Sequence, residues 1–268
     1  MSVQTLYTAA TGMEALQTKL DVIANNLANV NTTGFKRARA NFEDLFYINQ
    51  MLPGAQDAQG QLTPTGIAIG LGSAVSSTQT DFVQGAMRQT NRALDVAIEG
   101  GGFFQVTEPS TGGFVYSRAG NFSVNANGDI VLGSASTGRL LQPQLTIPPD
   151  TTGIVISPDG IVSIQQAGTP ALTQIGQIQL AQFINPEGLL KLGENLYSET
   201  DASGPVTLAN PGVQGLGVLR QNMLESSNVE PVQELIDLIT TQRSFELNSQ
   251  AVQAGDQILQ LIANLRRF

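Results

Sequence analysis

The two ends of the chain carry the same seven-residue period, and this shared period constrains the fold more than any other feature. Leu6, Met13, Leu20 and Leu27 stand seven apart, and Ala9, Leu16, Ile23 and Val30 follow each by three. Leu238, Phe245, Val252 and Leu259 repeat the spacing at the other end, with Ile262 three further on and Ile258 and Leu265 flanking the same stripe. An α-helix places such residues on one narrow face, the seam of a coiled coil. Two terminal helices of equal period are expected to pack on each other. Leu6, Met13, Leu16, Leu20, Ile23, Leu27, Leu238, Phe245, Val252, Leu259 and Ile262 are then the expected core and subunit-interface positions.

The seam has weak places. The second core position of the late helix reads Thr241, Asn248 and Gly255 before it reaches Ile262. Away from the seam stand Gln4, Thr5, Thr8, Thr11, Gln17 and Asn25 in the first helix, and Gln242, Ser244, Ser249, Gln250 and Gln253 in the last. A solvated helix face usually carries Lys and Glu in i,i+4 pairs. Amide and hydroxyl faces suit close contact with more protein. Such helices are marginal alone and are expected to be buried against copies of themselves. The alternative is an intramolecular helical hairpin capping an ordinary domain.

Composition narrows the function. A chain of 268 residues with 41% hydrophobic residues can form one or two domains with real cores. Its charged fraction, 13%, is about half the usual share. The net charge of −9 argues against nucleic acid as a partner, since that needs a basic face. Lys36, Arg37 and Arg39 form a single basic cluster in the body of the chain, read as a solvated turn or the partner of a carboxylate. There is no His and no Cys. That excludes Ser–His and Cys–His nucleophiles, imidazole and thiolate metal ligands, and any disulfide. No apolar run approaches the length of a membrane span. Residues 1–12 lack the basic and apolar regions of a cleaved signal peptide, so the expectation is a cytoplasmic chain or one exported without cleavage.

Between the helices the period changes. Asn29, Asn31, Thr32, Thr33 and Gly34 are turn formers that end the first helix. From Ile48 to Gly72 no period holds, and Pro53, Gly54, Pro64 and several glycines predict a connector of extended or irregular backbone that needs neighbours to order it. From about Ala74 the period is two. Phe122-Ser123-Val124, Asn127-Gly128 and Ile130-Val131-Leu132 predict a hairpin on a primed turn. Residues 154–156 and 161–164 predict another around Pro158-Asp159-Gly160. Residues 175–183 read as one long strand with Ile178 and Leu180 on one face. The expected class is α+β: a helical domain of residues 1–32 and 222–268, a connector over 33–75, and an inserted all-β domain over 76–221.

No catalytic constellation emerges. Gly100-Gly101-Gly102 lacks the Gly-Lys-Ser/Thr ending of a phosphate loop and precedes Phe103-Phe104, so it reads as a tight turn with close backbone packing. Glu99, Glu108, Asp129 and Asp159 are the carboxylates a glycosidase reading would use, and sequence places no two of them together.

Four stretches carry a resemblance. Ala24-Asn25-Asn26-Leu27-Ala28-Asn29-Val30-Asn31-Thr32-Thr33-Gly34-Phe35-Lys36 resembles the N-terminal signature of the bacterial flagellar rod and hook family. Ser227-Asn228-Val229-Glu230 with Gln242-Arg243-Ser244-Phe245-Glu246-Leu247-Asn248-Ser249 resembles its C-terminal motif. The segment from Leu94 to Val106, containing Gly100, Gly102, Phe103 and Phe104, is similar to its central signature. Gly193-Glu194-Asn195-Leu196-Tyr197 is similar to a fourth shared segment. The matches run in order over essentially the whole chain. Within the family the chain most resembles distal-rod members, through its size, the connector from Tyr47 to Pro64, and Pro64-Thr65-Gly66-Ile67-Ala68-Ile69-Gly70-Leu71-Gly72. Phe245 stands where Tyr is common, and the tail at Arg266, Arg267 and Phe268 runs slightly past the usual end.

The resemblance implies terminal helices paired in an inner coiled coil, a connector and an outer β domain. It implies a structural subunit with no enzymatic activity and no cofactor. Copies would stack helically into a hollow, rigid shaft that joins motor to hook through periplasm, peptidoglycan and outer-membrane rings. Its implied partners are itself, proximal-rod and hook proteins at its ends, the surrounding ring proteins, and the flagellar type III export apparatus. Alternatives are a hook or proximal-rod role in the same family, or a β-rich module that binds or hydrolyses cell-wall glycan.

Overall fold

The structure, a computed structural model, describes residues 3–54, 56, 64–109, 112–133, 138–168 and 171–265. Ile262 has its backbone described but not its side chain, and the tail 266–268 lies outside the described residues. In chain order the elements are α1 (Val3–Ala28), β1 (Ala38–Asp44), β2 (Tyr47–Met51), β3 (Ile67–Gly70), β4 (Ser73–Thr80), β5 (Met87–Gln89), β6 (Val96–Glu99), β7 (Phe103–Thr107), β8 (Phe114–Ser117), β9 (Phe122–Val124) and β10 (Ile130–Gly133). Then follow β11 (Gly138–Gln142), β12 (Thr151–Ile156), β13 (Ile161–Gln166), β14 (Leu172–Gln177), β15 (Leu180–Gln182), β16 (Leu190–Gly193), β17 (Leu196–Ser198), β18 (Thr207–Ala209), β19 (Val218–Gln221), β20 (Met223–Glu225) and α2 (Pro231–Leu265). The class is α+β, as expected, and the chain divides into two units. The first holds α1, Ala38–Thr80 and α2; the second holds Asn29–Arg37 and Asp81–Val229.

In the first unit α1 stops where the turn formers begin. Thr32 N–H donates to Asn29 O (3.1 Å), Phe35 N–H to Thr32 O (3.3 Å), and Gly34 takes φ +70°. Pro231 opens α2, where its missing N–H costs nothing. The two helices pack on each other, and α1 also packs on β1 and β4. Burial along α2 inverts the expected seam. Glu234, Thr241 and Gly255, at seven-residue multiples in the polar column, are buried, while Leu238, Phe245, Val252 and Leu259 are half-buried. Small residues explain this. A Cβ on Gly255 would stand 2.7 Å from Leu6 Cδ2, and one on Gly12 would stand 3.2 Å from Asn248 Nδ2. The glycines leave room for close approach, and the column that reads as a defect is buried at Glu234, Thr241 and Gly255. On α1, Ala15, Ile23 and Asn26 are buried; Leu6, Met13, Leu16, Leu20 and Leu27 are half-buried.

Of the two connector expectations, extended or irregular backbone, the structure shows the extended one, and shows it paired: residues 38–80 contain four paired strands. β1 runs antiparallel to β4 with a bulge at Asn41/Phe42, and β2 runs antiparallel to β3. Sequence periodicity misses the β2–β3 hairpin because it is exposed on both faces, so no alternation of polar and apolar residues marks it. Pro53 and Gly54 form a turn, Gly54 at φ +80°; residues 55 and 57–63 lie outside the described residues. The expected boundaries shift accordingly, since the structure assigns 29–37 to the second unit and 38–80 to the first.

The second unit is built on a nine-stranded sheet in the order β16-β17-β8-β7-β11-β10-β9, with β15 also pairing β7 and bringing in β18. β7 carries Phe103, Phe104 and Val106 into the core, which Val96, Ile98, Leu141, Val162, Leu180 and Leu219 complete. β12, β13 and β14 form a separate antiparallel sheet. Two sequence readings are corrected here. The strand expected over 175–183 is broken at Ile178 into β14 and β15, which belong to different sheets, and the Ile178 N–H donates to Gly160 O (2.8 Å) instead of continuing either ladder. The Asn127-Gly128 turn is not the primed type: only Gly128 takes positive φ, and Asn125 Oδ1 accepts from the N–H groups of Asn127 and Asp129. The hairpin itself forms, with Ile130 opposite Val124. The glycine run is a site of close approach. Gly100 sits at φ +113°, where a Cβ would stand 2.9 Å from Gly217 Cα, and the Gly217 N–H donates to Gly101 O.

Candidate functional site

The N-terminal signature splits between the two units. Asn26, in α1, turns a fully buried amide on the first residue of β1. Its Nδ2 donates to Ala38 O (2.8 Å) and its Oδ1 accepts from the Ala38 N–H (2.9 Å). The side chain thus imitates a strand neighbour. Nδ2 also reaches Glu234 Oε2 of α2 at 3.3 Å. One amide ties both helices and the first strand together. Asn25 is exposed, and Asn29 Oδ1 accepts from the Thr32 hydroxyl.

Gly34 to Arg37 belong to the second unit. Gly34 N–H donates to Glu225 O (2.8 Å), and a Cβ on Gly34 would stand 2.8 Å from the Ala119 nitrogen. Phe35 lies beneath the Lys191 ammonium, 5.9 Å from the ring centre. Lys36 is fully buried; Nζ donates to Glu225 Oε1 (2.6 Å) and to Val83 O (2.8 Å). So the basic cluster does include a partner for a carboxylate, while Arg39 instead donates to Gln79. Glu225 also accepts from the Gly85 N–H (2.9 Å) and meets Arg118 Nη1 at 3.5 Å. Burial pulls the Lys36 ammonium below its ordinary range despite Glu225, and does the same to the Arg118 guanidinium.

The other shared motifs converge on the same segment. Asn228 Oδ1 accepts from the Arg37 N–H (2.7 Å), and its Nδ2 donates to Asp81 O and Val83 O. Asn195, at φ +59°, donates to Thr33 O (3.0 Å). Phe103 packs edge-on against Phe82, Phe183 and Tyr197, with the Arg118 guanidinium over its ring at 5.4 Å. Gln242 and Arg243 are exposed on α2, while Asn248 is half-buried against Gly12. Glu225 and Arg118 escaped the sequence reading, because no period or motif marks a lone buried charge. The only signal was Lys36, a Lys directly after an apolar residue in a turn.

Three of the four carboxylates weighed for hydrolysis, Glu99, Glu108 and Asp129, have structural partners. Glu99 pairs with Arg220 (2.6 Å), and Arg139 binds both Glu108 (3.1 Å) and Glu194 (2.6 Å). Asp129 accepts from Thr146, Gln144 and Asn125, which holds its carboxyl below the usual range.

Exposed apolar groups concentrate in the first unit. Along α2 stand Val232, Leu235, Ile236 (50% exposed), Ile239 (50%), Leu247 and Leu261. Spacing of three and four puts Val232, Leu235, Ile236 and Ile239 on one face, away from the column that meets α1. The β2–β3 hairpin adds Tyr47, Ile48, Met51, Ile67 and Ile69, and Phe46 precedes it at 88%. Exposed apolar area on this scale marks a surface made for protein contact.

Comparison with known proteins gives the same pattern of matches. Residues 6–36 match the flagella basal body rod protein family, 97–164 the flagellar hook protein FlgE/F/G D1 domain, and 220–265 the C-terminal domain of flagellar basal body rod FlgEFG proteins. A flagellar basal-body rod protein FlgG of Caulobacter vibrioides is 46% identical over 264 residues, covering 98% of this chain and 99% of the relative. The chain belongs to the flagellar FlgE/F/G rod and hook family. FlgG of Borreliella burgdorferi is 42% identical over 98% of both chains, and FlgG of Bacillus subtilis 40% identical over 98% of this chain and 99% of the relative. A hook protein, FlgE2 of Helicobacter pylori, overlays on 71% of this chain and 43% of its own at 12% identity with a TM-score of 0.24, too loosely to inform the fold. Of the residues singled out by the resemblance, Asn26 ties α1 to β1 and α2, and Asn195 and Asn228 seat residues 33–37.

Proposed function

We propose that the chain is a structural subunit of the flagellar distal rod, which assembles helically with copies of itself into a hollow shaft. The observation that carries this reading is the end-to-end correspondence with relatives named flagellar basal-body rod protein FlgG. The chain's own chemistry agrees. An apolar stripe on α2 and a two-faced apolar hairpin are costly in water, at about 25 cal/mol per Å² of apolar surface. A surface that meets a different surface on the next copy builds an open helix when the rotation between copies does not close into a ring. In the assembly α1 and α2 would wind as a coiled coil among their neighbours, with proximal-rod and hook proteins at the shaft's ends, ring proteins around it, and type III export delivering the subunits.

The β2–β3 hairpin is the element that would stiffen the shaft. It would wedge between adjacent subunits and block the sliding that bending requires, with Pro53 and Pro64 limiting its freedom. Its base is closed by Leu71 N–H to Phe46 O (3.1 Å) and Leu45 N–H to Gly72 O (2.9 Å), so residues 47–70 can be replaced by a two-residue Asn-Gly turn. The shortened chain is expected to fold and polymerise but to form more curved filaments by electron microscopy. Equal curvature would leave the hairpin as a spacer, and a full-length chain that forms no filament under any condition would overturn the shaft reading.

A further inference from the structure

Residues 33–37 run in sequence between α1 and β1, two elements of the first unit, yet they are seated in the second. Three distant segments build the seat, around Asp81, Asn195 and Glu225–Asn228. Asn195 holds Thr33 O, the Glu225 carbonyl holds the Gly34 N–H, Asn228 holds the Arg37 N–H, and the Asp81 N–H donates to Arg37 O (2.8 Å). Gly34 fits because it has no side chain to meet the Arg118–Ala119 backbone.

Beneath the seat the charges do not balance. Lys36 and Arg118 bring two positive charges, and Glu225, with no side-chain exposure, is the carboxylate that touches both. Asp81, the next acidic group near Lys36, is turned to the Val83 N–H (2.9 Å). Arg118 Nε has no hydrogen-bond partner, so the guanidinium is held by Glu225 and the face of Phe103. A buried cluster with one anion for two cations responds unequally to loss of its members. Removing a cation leaves a neutral pair. Removing the anion leaves two like charges in a place water does not reach.

We propose that residues 33–37 form a latched strap, seated at Thr33 by Asn195 and at Arg37 by Asn228 and locked between them by Glu225, so that Glu225 is the indispensable member and Lys36 is dispensable. The strap is one of the chain's passages between the two units.

The test is hydrogen exchange at residues 33–37 in the purified full-length chain, comparing Glu225→Gln, Lys36→Met, the double variant and Asn195→Ala. Glu225→Gln is expected to speed exchange there by roughly a hundredfold or more. Lys36→Met changes it by less than about tenfold, because the remaining Arg118–Glu225 pair is neutral. The double variant, which restores the native charge excess, recovers at least about tenfold of the loss caused by Glu225→Gln. Asn195→Ala loosens residues 33–37 without lowering the unfolding midpoint of the chain. Should Glu225→Gln fail to fold, Lys36→Met and the double variant carry the test, since both must fold with the strap protected. Lys36→Met loosening the strap as much as Glu225→Gln, a double variant no better than Glu225→Gln, or a double variant that does not fold would each overturn the latch. Polymerisation is scored separately: the predicted order in a chain that forms no filament sinks only the rod reading, and filaments without that order sink only the latch.

Discussion

The two units solve burial in opposite ways. In the second, large apolar side chains are wholly inside: Phe104, Ile98, Val96 and Leu180 are 0% exposed. In the first, buried positions include Asn26, Glu234, Thr241 and Gly255, while Val232, Ile236, Ile239, Leu247 and the β2–β3 hairpin face outward. The second unit encloses two apolar clusters of its own, though Val83, Leu172 and Ile184 stay exposed. The first uses small and polar residues to bring its helices close, and leaves apolar surface for another chain. Long helices with little internal apolar seam gain most of their stability from such packing. The contrast separates a part built round closed apolar clusters from a part whose helices and hairpin keep apolar faces open.

The largest expected effect lies in the self-sufficient unit. Phe104→Ala should cost about 3–5 kcal/mol, read as a lowered denaturant midpoint, because its ring is buried against Phe122 at 5.0 Å between centroids. An effect under about 1 kcal/mol would mean that the core is not closed. Next comes Asn26→Ala. It strips the donor and acceptor partners from the Ala38 peptide and should destabilise the first unit by about 2 kcal/mol or more, seen as lost exchange protection in α1 and β1 with β7 unchanged. Loss confined to α1 would deny that this amide joins helix and strand.

Ile236→Asp with Ile239→Asp should do the reverse of a core mutation. Both residues are half exposed, so the stability of the dilute chain should shift by no more than about 0.5 kcal/mol each, while filament formation measured by light scattering is abolished. Normal filaments would remove this face from the interface. A smaller effect is expected from alkali. Burial pushes the Tyr116 phenol up to about 12 and raises Tyr197 as well. A raised phenol favours the folded state while it stays protonated. This contribution is complete below about pH 10, the unfolded value, and is lost as pH rises towards 12. Lys36 works in the other direction, since its lowered value makes losing a proton easier when folded. Lys191 acts the same way, but both ammoniums have their full effect by about pH 10.5, the unfolded value, so between there and pH 12 the second unit should lose stability; a midpoint that rises with pH over that range would contradict the burial of these phenols. The smallest effect is Gly12→Ala. The new methyl meets only the end of the Asn248 side chain, and Ala favours helix by about 1 kcal/mol, so the change should be neutral or slightly stabilising in circular dichroism melts.

Legibility in the sequence followed the same division. Hairpins such as Ile154–Ile156 with Ile161–Ile164 were visible because their partners are adjacent and their turn residues are specific. The helices were visible from their period, but the period mis-ranked the seam, because hydrophobicity cannot register that Gly255 and Gly12 allow close approach. The β2–β3 hairpin was hidden by having no buried face. The break at Ile178 was hidden because both flanking strands are apolar, and only the tertiary change of sheet separates them. Within the signature, Asn26, Asn195 and Asn228 were marked by resemblance alone, whereas composition and turn chemistry also pointed to Lys36 and Gly34. Their work consists of single hydrogen bonds to backbone groups far along the chain, which leave no periodic trace.

The most direct test of the contrast is hydrogen exchange followed in the same protein before and after polymerisation. In the dilute chain, amides of residues 3–28 and 231–260 should exchange at least about a hundredfold faster than those of β6 and β7, and in filaments they should slow to match them. Strong protection of both helices in a verified monomer, unchanged on assembly, would contradict a helical unit that is completed by its neighbours.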